Sequence, residues 1–284
     1  MNKSFAFVKM HGLGNDFVII DATQCKFSLS AQLIRKLADR NFGIGCDQIL
    51  LLTLPAPKCQ DIDFRYCVFN ADGSKAYQCI NGVRCLAKFV YDHGLSAKRN
   101  LVFATEVTKN QTYLEDDGSV TVVLAKPVFA VKDVPIVAKR QALRYNVPIA
   151  NWGEITIGAV SVGNPHAVVL VASDIANYVG TIGPIISSSK FFPQGANVNF
   201  IDVINSQEIK LRVYERGSGE TLACGSGACA AVVMGRKWGL LESTVLVNMT
   251  GGDLLVTWKG MNSNIKIKGE AKQVFTGEMN VKEV

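Results

Sequence analysis

Two cysteines in similar local sequences are the residues best suited to chemistry in this chain. Cys79 lies in DGSKAYQCINGVRCLAKFV and Cys224 in GSGETLACGSGACAAVVMG, and in both a glycine stands three residues after the cysteine. A segment of helical character follows each cysteine. Each thiol would therefore lie beside helix amides that lack intrahelical partners, at the positive end of the helix dipole. Such a position lowers a thiol pKa from about 8.5 to as low as about 3.5. We therefore predict two reactive sulfurs, each with a cradle of backbone amides for an anion.

Two such units facing each other would permit proton transfer on both sides of one carbon. The helix N-termini would hold a carboxylate, one thiolate would remove the proton from the adjacent carbon, and the opposite thiol would return a proton and invert the centre. This geometry needs neither a metal nor pyridoxal phosphate, and we expect neither; the sequence has no Cys-x-x-Cys pair and its three histidines lie far apart, so a zinc site is disfavoured. The alternative is that both cysteines pack in the core, as Cys85 and Cys229 inside the helices are expected to do. Polar residues near both motifs weigh against that alternative: Asn70, Asp72 and Asn81 near the first, and Glu215, Arg216 and Glu220 near the second.

The elements that must position these thiols are short strands with a few helices. Apolar patterning predicts strands over 4–10, 16–21, 48–52, 61–69, 100–105, 111–115, 119–125 and 128–131, and again over 155–163, 166–172, 197–204, 207–215, 244–249, 253–258, 263–268 and 273–276. Helical spacing and end signals predict helices over 30–40 with Ser30 as N-cap, after Cys79 to Gly94, from Ser173, and from Cys224 to Gly239. Because both halves lead from strands through a Gly- and Ser-rich turn to a cysteine and a helix, the sequence predicts a duplication.

Composition limits the classes of protein to consider. The 284 residues are 48% hydrophobic and 19% charged, which is typical of a globular chain long enough for two domains. The net charge of +6 is spread along the chain without a basic run, so we expect no nucleic-acid partner. No apolar segment reaches the roughly 18 residues that a membrane helix needs, and no signal-peptide core is recognisable. We expect a cytoplasmic protein with no membrane partner.

Ordered motifs along the chain resemble those of the diaminopimelate epimerases. They are MHGLGNDFVIID, GIGCDQILLL, FNADGSKAYQCINGVRC, GNPHAVV, NVNF and ERGSGETLACGSGACA, and they extend over essentially the whole sequence. The resemblance implies an isomerase, independent of pyridoxal phosphate, that interconverts LL- and meso-2,6-diaminopimelate for lysine or peptidoglycan synthesis. It also implies an α+β fold of two pseudo-symmetric domains, each a mostly antiparallel sheet or barrel wrapped around a central helix.

The resemblance further implies a domain organisation. Residues 1–123 would form the half that carries Cys79, and residues 124–269 the half that carries Cys224. The strand 270–284 would return to the first half, and a small-molecule substrate would bind in the cleft between the halves. A homodimer is also expected from the resemblance.

Individual residues match functional positions of the family. Cys79 and Cys224 match the two catalytic acid/base cysteines. The matching substrate-binding residues are Asn15, Gln48, Asn70, Asn164, Asn197, Glu215 and Arg216, with the backbone at Ile80, Asn81, Gly225 and Ser226 cradling the reacting carboxylate. His166 and Glu215 match groups that lie beside the cysteines and tune their pKa. Structural alternatives stay open, because asparagine is common in turns such as GND and GNP, and a lone histidine opening a strand is usually a core residue.

Two departures from the family pattern bear on substrate choice. The family usually has glycine where Ile80 stands, so this side chain is expected to narrow the pocket or alter the pKa of Cys79. It also usually has arginine where Gly195 stands. A racemase or epimerase of another amino acid on the same fold is therefore the first alternative function. A same-fold isomerase or dehydratase and a non-catalytic ligand-binding module are the further alternatives.

Overall fold

The chain divides into two compact units, Met1–Val122 with Gly269–Val284, and Val123–Lys268. The structure, a computed structural model, describes residues 2–25, 27–149, 152–172 and 175–282.

Unit 1 contains two helices and a set of short strands. In chain order these are β1 (Asn2–Gly12), β2 (Asn15–Asp21), α1 (Ala31–Ala38), β3 (Gln48–Thr53), β4 (Phe64–Asn70), β5 (Lys75–Ala76), α2 (Ile80–Asp92), β6 (Asn100–Ala104), β7 (Lys109–Leu114) and, from the end of the chain, β18 (Lys272–Lys282). Strand β8 (Val120–Leu124) crosses the boundary between the units. The predicted N-cap of α1 is confirmed, because the Ser30 hydroxyl accepts a hydrogen bond from the amide of Leu33 at 3.1 Å.

Unit 2 repeats this arrangement. Its elements are β9 (Tyr145–Ile149), β10 (Gly153–Ser161), β11 (Pro165–Leu170), α3 (Ile175–Ser187), β12 (Asn197–Asn205), β13 (Glu208–Glu215), β14 (Gly219–Thr221), α4 (Gly225–Lys237), β15 (Thr244–Met249), β16 (Gly252–Trp258) and β17 (Ile265–Gly269). The predicted start of α3 at Ser173 lies outside the described residues.

Strand pairing shows that the two units share one topology. The order is β18–β1–β2–β3–β4–β6–β7 in unit 1, with β5 on β4. It is β9–β10–β11–β12–β13–β15–β16–β17 in unit 2, with β14 on β13. Each unit has two parallel pairs, β2–β3 and β4–β6 in unit 1 and β11–β12 and β13–β15 in unit 2, whose connections contain a helix, as parallel neighbours require; the other pairs in these orders are antiparallel. The predicted duplication and the α+β class are confirmed.

One helix in each unit packs closely on its sheet and starts at a motif cysteine. Helix α2 contacts β1, β2, β7 and β18, and α4 contacts β10, β11, β12, β13 and β16. Glycine permits the close approach of α2, because a Cβ at Gly82 would lie 3.2 Å from both δ-carbons of Leu50. The apolar residues of α2 at helical spacing, Val83, Leu86, Ala87 and Val90, are buried.

One strand prediction is wrong, and three strands of the structure, β5, β9 and β14, were not predicted. The segment 128–131 is not a strand: Val128 alone forms an isolated bridge, with Ser161. Pro127 has no amide to donate, and the carbonyl of Ala130 turns to accept from the amides of Asp133 and Val134, so a ladder cannot extend there. Strand β9 was not predicted, since its interior proline is a weak strand signal.

Candidate active site

Cys79 and Cys224 are the N-cap residues of α2 and α4. Each has extended backbone angles, and each sulfur accepts a hydrogen bond from the third amide of its helix, Gly82 N or Gly227 N, at 3.4 Å. The prediction that a helix begins directly after each cysteine is confirmed. Both sulfurs therefore lie at the positive end of a helix, where the first helical amides have no intrahelical partner.

In unit 1, the side chain of Asn15 links Cys79 to the sheet. Its Oδ1 lies 3.7 Å from Cys79 Sγ and accepts a hydrogen bond from Asn81 Nδ2 at 3.2 Å. Its Nδ2 donates to Asp47 Oδ2 at 3.0 Å. The amide of Asn15 is thereby held with its oxygen towards the thiol and its nitrogen towards the carboxylate.

Asp47 belongs to an ionic network that sequence reasoning missed, although it precedes the predicted Gln48. Its Oδ2 also accepts from the backbone amide of Asp16 at 3.1 Å, and Arg40 bridges the carboxylates of Asp47 and Asp16 at 2.7 and 2.8 Å. Lys9 pairs with Asp16 from the buried side at 2.5 Å. Burial alone would raise the pKa of Asp16, but the hydrogen bonds from Arg40 and Lys9 outweigh it and hold that pKa well below its ordinary value.

Gln48 and Asn70 form a second polar pair in unit 1. They face each other across β3 and β4, and Gln48 Nε2 donates to Asn70 Oδ1 at 2.8 Å. Asn70 Nδ2 in turn donates to Ser74 Oγ at 2.9 Å. Ile80 is the first residue of α2 and is buried, as is Asn81. Unit 1 thus contains two groups of predicted residues: Asn15 and Asn81 with Cys79, and Gln48 with Asn70.

In unit 2, a continuous hydrogen-bonded chain leads to Cys224. Asn199 Nδ2 lies 3.1 Å from His166 Nδ1, and His166 Nε2 lies 3.0 Å from Asn164 Oδ1. Asn164 Nδ2 donates to Ser226 Oγ at 3.4 Å, and that oxygen lies 3.5 Å from Cys224 Sγ. The structure brings together the predicted residues Asn164, His166 and Ser226. It adds Asn199 to this group, a residue of the NVNF motif that the sequence did not single out.

His166 is a neutral imidazole. Burial lowers its pKa to about 3, and the positive charge of Arg216 acts in the same direction. His166 is fully buried and has a hydrogen-bond partner on each ring nitrogen, as the alternative of a core histidine requires.

The pKa of Cys224 departs from the expectation for a helix N-terminus. Burial raises it well above the ordinary thiol value, and the neighbouring carboxylate of Glu215 adds to the rise. The Ser226 hydroxyl and the Gly227 amide oppose this by donating to the sulfur. The predicted lowering is therefore wrong for Cys224, because desolvation and a like charge outweigh the helix end.

Glu215, Arg216 and Asn197 surround the same helix start. Glu215 hydrogen-bonds the Cys224 thiol and accepts from Thr221 Oγ1 at 2.5 Å. Asn197 Oδ1 accepts from the Arg216 backbone amide at 2.9 Å. Gly225 and Ser226 open α4, so their amides are the first of the helix.

The departure at Gly195 has a clear steric consequence. Gly195 has φ +70°, and a Cβ there would lie 2.7 Å from Arg216 Cδ. The Arg216 side chain passes over this glycine and donates from Nη1 to the Gln194 carbonyl at 2.7 Å. A larger residue at position 195 would displace Arg216 from this path.

Two further observations concern the part of the chain that the structure describes. There, no group of three or more His, Cys, Asp or Glu residues is arranged to hold a metal ion. Within the same ranges, no helix has both the length and the apolar character needed to cross a membrane.

Comparison with known proteins places the chain in a family. The family model described as "Diaminopimelate epimerase" matches residues 7–130 and 158–275. A diaminopimelate epimerase of Teredinibacter turnerae is 47% identical over 275 residues, covering 97% of this chain and 99% of the relative. That of Nitrosospira multiformis is 46% identical over 276 residues, covering 97% and 98%.

Solved structures of lower identity share the fold. A hydroxyproline epimerase from Agrobacterium vitis superposes with a TM-score of 0.70 at 15% identity, covering 99% of this chain and 93% of the other. A PhzF-family protein from Bacillus anthracis superposes with a TM-score of 0.69 at 16% identity, covering 98% and 99%. The sequence relatives, which cover nearly the full length at this identity, decide the family: the chain belongs to the diaminopimelate epimerases.

Proposed function

We propose that this protein interconverts LL- and meso-2,6-diaminopimelate by proton transfer between Cys79 and Cys224. The observation that carries the proposal is that each cysteine caps the equivalent helix of a duplicated unit. Family membership supplies the substrate, and the duplicated helix starts supply the two acid/base groups.

The chemistry balances without any added reagent. The thiolate of one cysteine takes the α-proton, and the electron pair spreads into the adjacent carboxylate, which the first amides of a helix can stabilise. The thiol of the other cysteine delivers its proton to the opposite face of the α-carbon. The centre is inverted, and the two cysteines have exchanged protonation states.

Neighbouring groups act on the protonation of both sulfurs, and in each unit an acceptor favours the thiol. In unit 1, Asn15 Oδ1 can only accept a hydrogen bond, so it favours the protonated Cys79. In unit 2, Ser226 and Gly227 donate to Cys224, while Glu215 accepts from its thiol. Glu215 is thus placed to take the Cys224 proton, and the two donors remain to stabilise the thiolate that results.

The remaining residues hold the rest of the substrate in this proposal. The guanidinium of Arg216 pairs with the distal carboxylate in a bidentate manner, and Glu215 accepts from an ammonium group. The amides of Asn15, Asn70, Asn164 and Asn197 and of Gln48 provide further polar contacts, with the backbone at Ile80, Asn81, Gly225 and Ser226 around the reacting carboxylate.

The test is exchange of the substrate α-hydrogen in deuterated water, followed by NMR or mass spectrometry on reduced protein. Cys79→Ala and Cys224→Ala should each abolish epimerisation while the fold is retained. Cys85→Ala and Cys229→Ala are matched controls, because these cysteines are buried inside the same two helices and should leave turnover in place. Full activity in either motif variant would exclude the two-base mechanism.

A second candidate is epimerisation or racemisation of another amino acid, which the side chain of Ile80 at the helix start favours. Turnover of diaminopimelate, glutamate, proline and histidine under the same conditions separates the two. A preference for one of the other three would refute diaminopimelate as the substrate but leave the cysteine chemistry intact. Binding without turnover would instead indicate a ligand-binding module.

We also propose that the protein acts in the cytoplasm as a homodimer, with residues 1–123 and 270–284 as one half and 124–269 as the other. The mild, dispersed charge and the family support this proposal. Light scattering on the purified chain tests the oligomeric state: a mass of one chain would contradict it.

A further inference from the structure

We propose that Asn199 is a positioning residue: it fixes the tautomer of His166, and so the direction in which His166, Asn164 and Ser226 donate towards the sulfur of Cys224. The inference rests on the proposed acid/base role of Cys224. It concerns an asparagine on β12 whose side chain is linked to Cys224 through His166, Asn164 and Ser226.

The orientation of the Asn199 amide is set by the backbone. One of its two polar atoms lies 2.8 Å from the carbonyl oxygen of Ala167, which can only accept, so that atom is the nitrogen. The same nitrogen lies 3.1 Å from His166 Nδ1. Its partner atom Oδ1 is directed at Gly227, since a Cβ built on that glycine would lie 2.5 Å from it.

This donor determines the tautomer of His166. A neutral imidazole carries one proton, and Nδ1 must accept when it faces an N–H donor. The proton is therefore on Nε2, which donates to Asn164 Oδ1 at 3.0 Å. His166 is completely buried, so its surroundings disfavour a second proton on the ring.

The rest of the chain follows from this direction. With its oxygen engaged by His166, Asn164 presents Nδ2 to Ser226 Oγ at 3.4 Å. The serine oxygen accepts there, which leaves its O–H to donate to Cys224 Sγ at 3.5 Å. Every donor in the chain points towards the sulfur, so loss of the Cys224 proton meets a hydroxyl already turned to stabilise the thiolate.

Asn199→Asp reverses the direction. In this variant we expect a protonated acid whose O–H donates to the Ala167 carbonyl; the same oxygen can only accept from the histidine, which requires the proton on Nδ1, and Nε2 then accepts. Asn164 must turn its nitrogen to the histidine and its oxygen to Ser226, whose hydroxyl then donates away from Cys224. Two charged groups face the titrating side chains: Glu215 lies beside Cys224, and Arg216 acts on His166. Both are the same in the native protein and in Asn199→Asp.

The first experiment reads the tautomer directly. The chain has three histidines, so ¹⁵N–¹H NMR of the imidazole rings can resolve His166. We expect the native protein to show a protonated Nε2 and an unprotonated Nδ1 from about pH 5 to pH 8. A protonated Nδ1, or a charged ring at neutral pH, would overturn the inference without any variant being made.

The second experiment follows Cys224 by peptide-resolved alkylation with iodoacetamide as a function of pH. In Asn199→Asp we expect the histidine proton on Nδ1 and alkylation of Cys224 about tenfold slower at a given pH, since a donor to a thiolate has been lost. Ser226→Ala should slow the alkylation of Cys224 to the same extent, while His166 keeps its native tautomer. A reversed tautomer with unchanged alkylation of Cys224 would overturn the proposed coupling.

Controls separate this coupling from general damage. Asn110→Asp places a carboxylate at another buried asparagine, in unit 1, and should change neither readout. If Asn199→Asp does not fold, Asn199→Leu removes the donor without adding charge. A single fixed Nε2–H tautomer in that variant would then overturn the inference. Neither readout needs a substrate, so failure of the epimerase proposal and failure of this one are distinguishable.

Discussion

Removal of the Asp47 carboxylate tests whether the orientation of Asn15 matters to Cys79. Asp47 Oδ2 accepts from Asn15 Nδ2 at 3.0 Å and from the Asp16 amide at 3.1 Å. In Asp47→Ala the Asn15 amide loses the acceptor that holds its nitrogen away from the thiol. Only the hydrogen bond from Asn81 Nδ2 then holds the amide, and at the cost of that bond it can rotate so that its oxygen no longer faces Cys79.

The magnitude follows from exposure and charge. The Asp47 side chain is 44% exposed, so its ion pair with Arg40 contributes at most about 1 kcal/mol. Hydrogen bonds to a charged acceptor contribute about 1.5–3 kcal/mol in buried settings and less here. We expect Asp47→Ala to lower the free energy of unfolding by about 1–2 kcal/mol and kcat/KM by about tenfold to a hundredfold, since about 1.4 kcal/mol corresponds to a factor of ten.

Two variants separate the hydrogen bond from the ion pair. Asp47→Asn keeps an oxygen that can accept from Asn15, so its kcat/KM should stay within about threefold of the native value. Arg40→Ala keeps the Asp47–Asn15 hydrogen bond but removes ion pairs to both Asp47 and the more buried Asp16, so it should lower stability by about 1–3 kcal/mol while kcat/KM changes little. Kinetics with diaminopimelate and thermal unfolding provide the measurements. Native turnover in Asp47→Ala, with an inactive Asn15→Ala, would refute the reasoning.

Three further predictions concern unit 2. The pKa of His166 is lowered from 6.5 to about 3 in the folded state, so the unfolded chain binds its proton first as pH falls. The free energy of unfolding should therefore keep its full value above about pH 6.5 and fall by up to about 1.4 kcal/mol per pH unit between about pH 6.5 and about pH 3. The unfolding free energy of His166→Gln, measured over the same pH range, should lack this decrease. Gly227→Ala would place a Cβ 2.5 Å from Asn199 Oδ1 and 3.0 Å from Val213, so we expect about 1–3 kcal/mol lower stability by denaturant unfolding. Gly195→Ala would strain a φ of +70° and crowd Arg216, so KM should rise together with a stability loss of about 1–2 kcal/mol; an unchanged KM would show that Arg216 does not bind the substrate as proposed.

Local signals in the sequence were sufficient for much of the fold. The helix starts after Cys79 and Cys224 follow from glycine spacing and apolar period, which are properties of a few adjacent residues. The duplication was readable because both halves carry the same order of local signals. The strand predicted over 128–131 was wrong for a local reason too, since Pro127 and the turn at Ala130 interrupt an otherwise apolar run.

The hydrogen-bond partners of the site were decided by tertiary structure. Asn15 meets Asp47, 32 residues away, because β2 and β3 pair in parallel, and Asn199 meets His166, 33 residues away, because β11 and β12 do the same. No local pattern specifies that register, so Asp47 and Asn199 could not be singled out although both lie in recognised motifs.

The pKa values of the thiols likewise depend partly on local sequence and partly on tertiary structure. Local sequence was enough to place a cysteine at each of two helix starts, since capping and apolar period act over one or two turns. It therefore predicted a lowered pKa at both. Only the folded chain shows that Cys224 is buried beside Glu215, which raises its pKa instead. Desolvation depends on every element packed around a group, and that sum is a property of the tertiary structure.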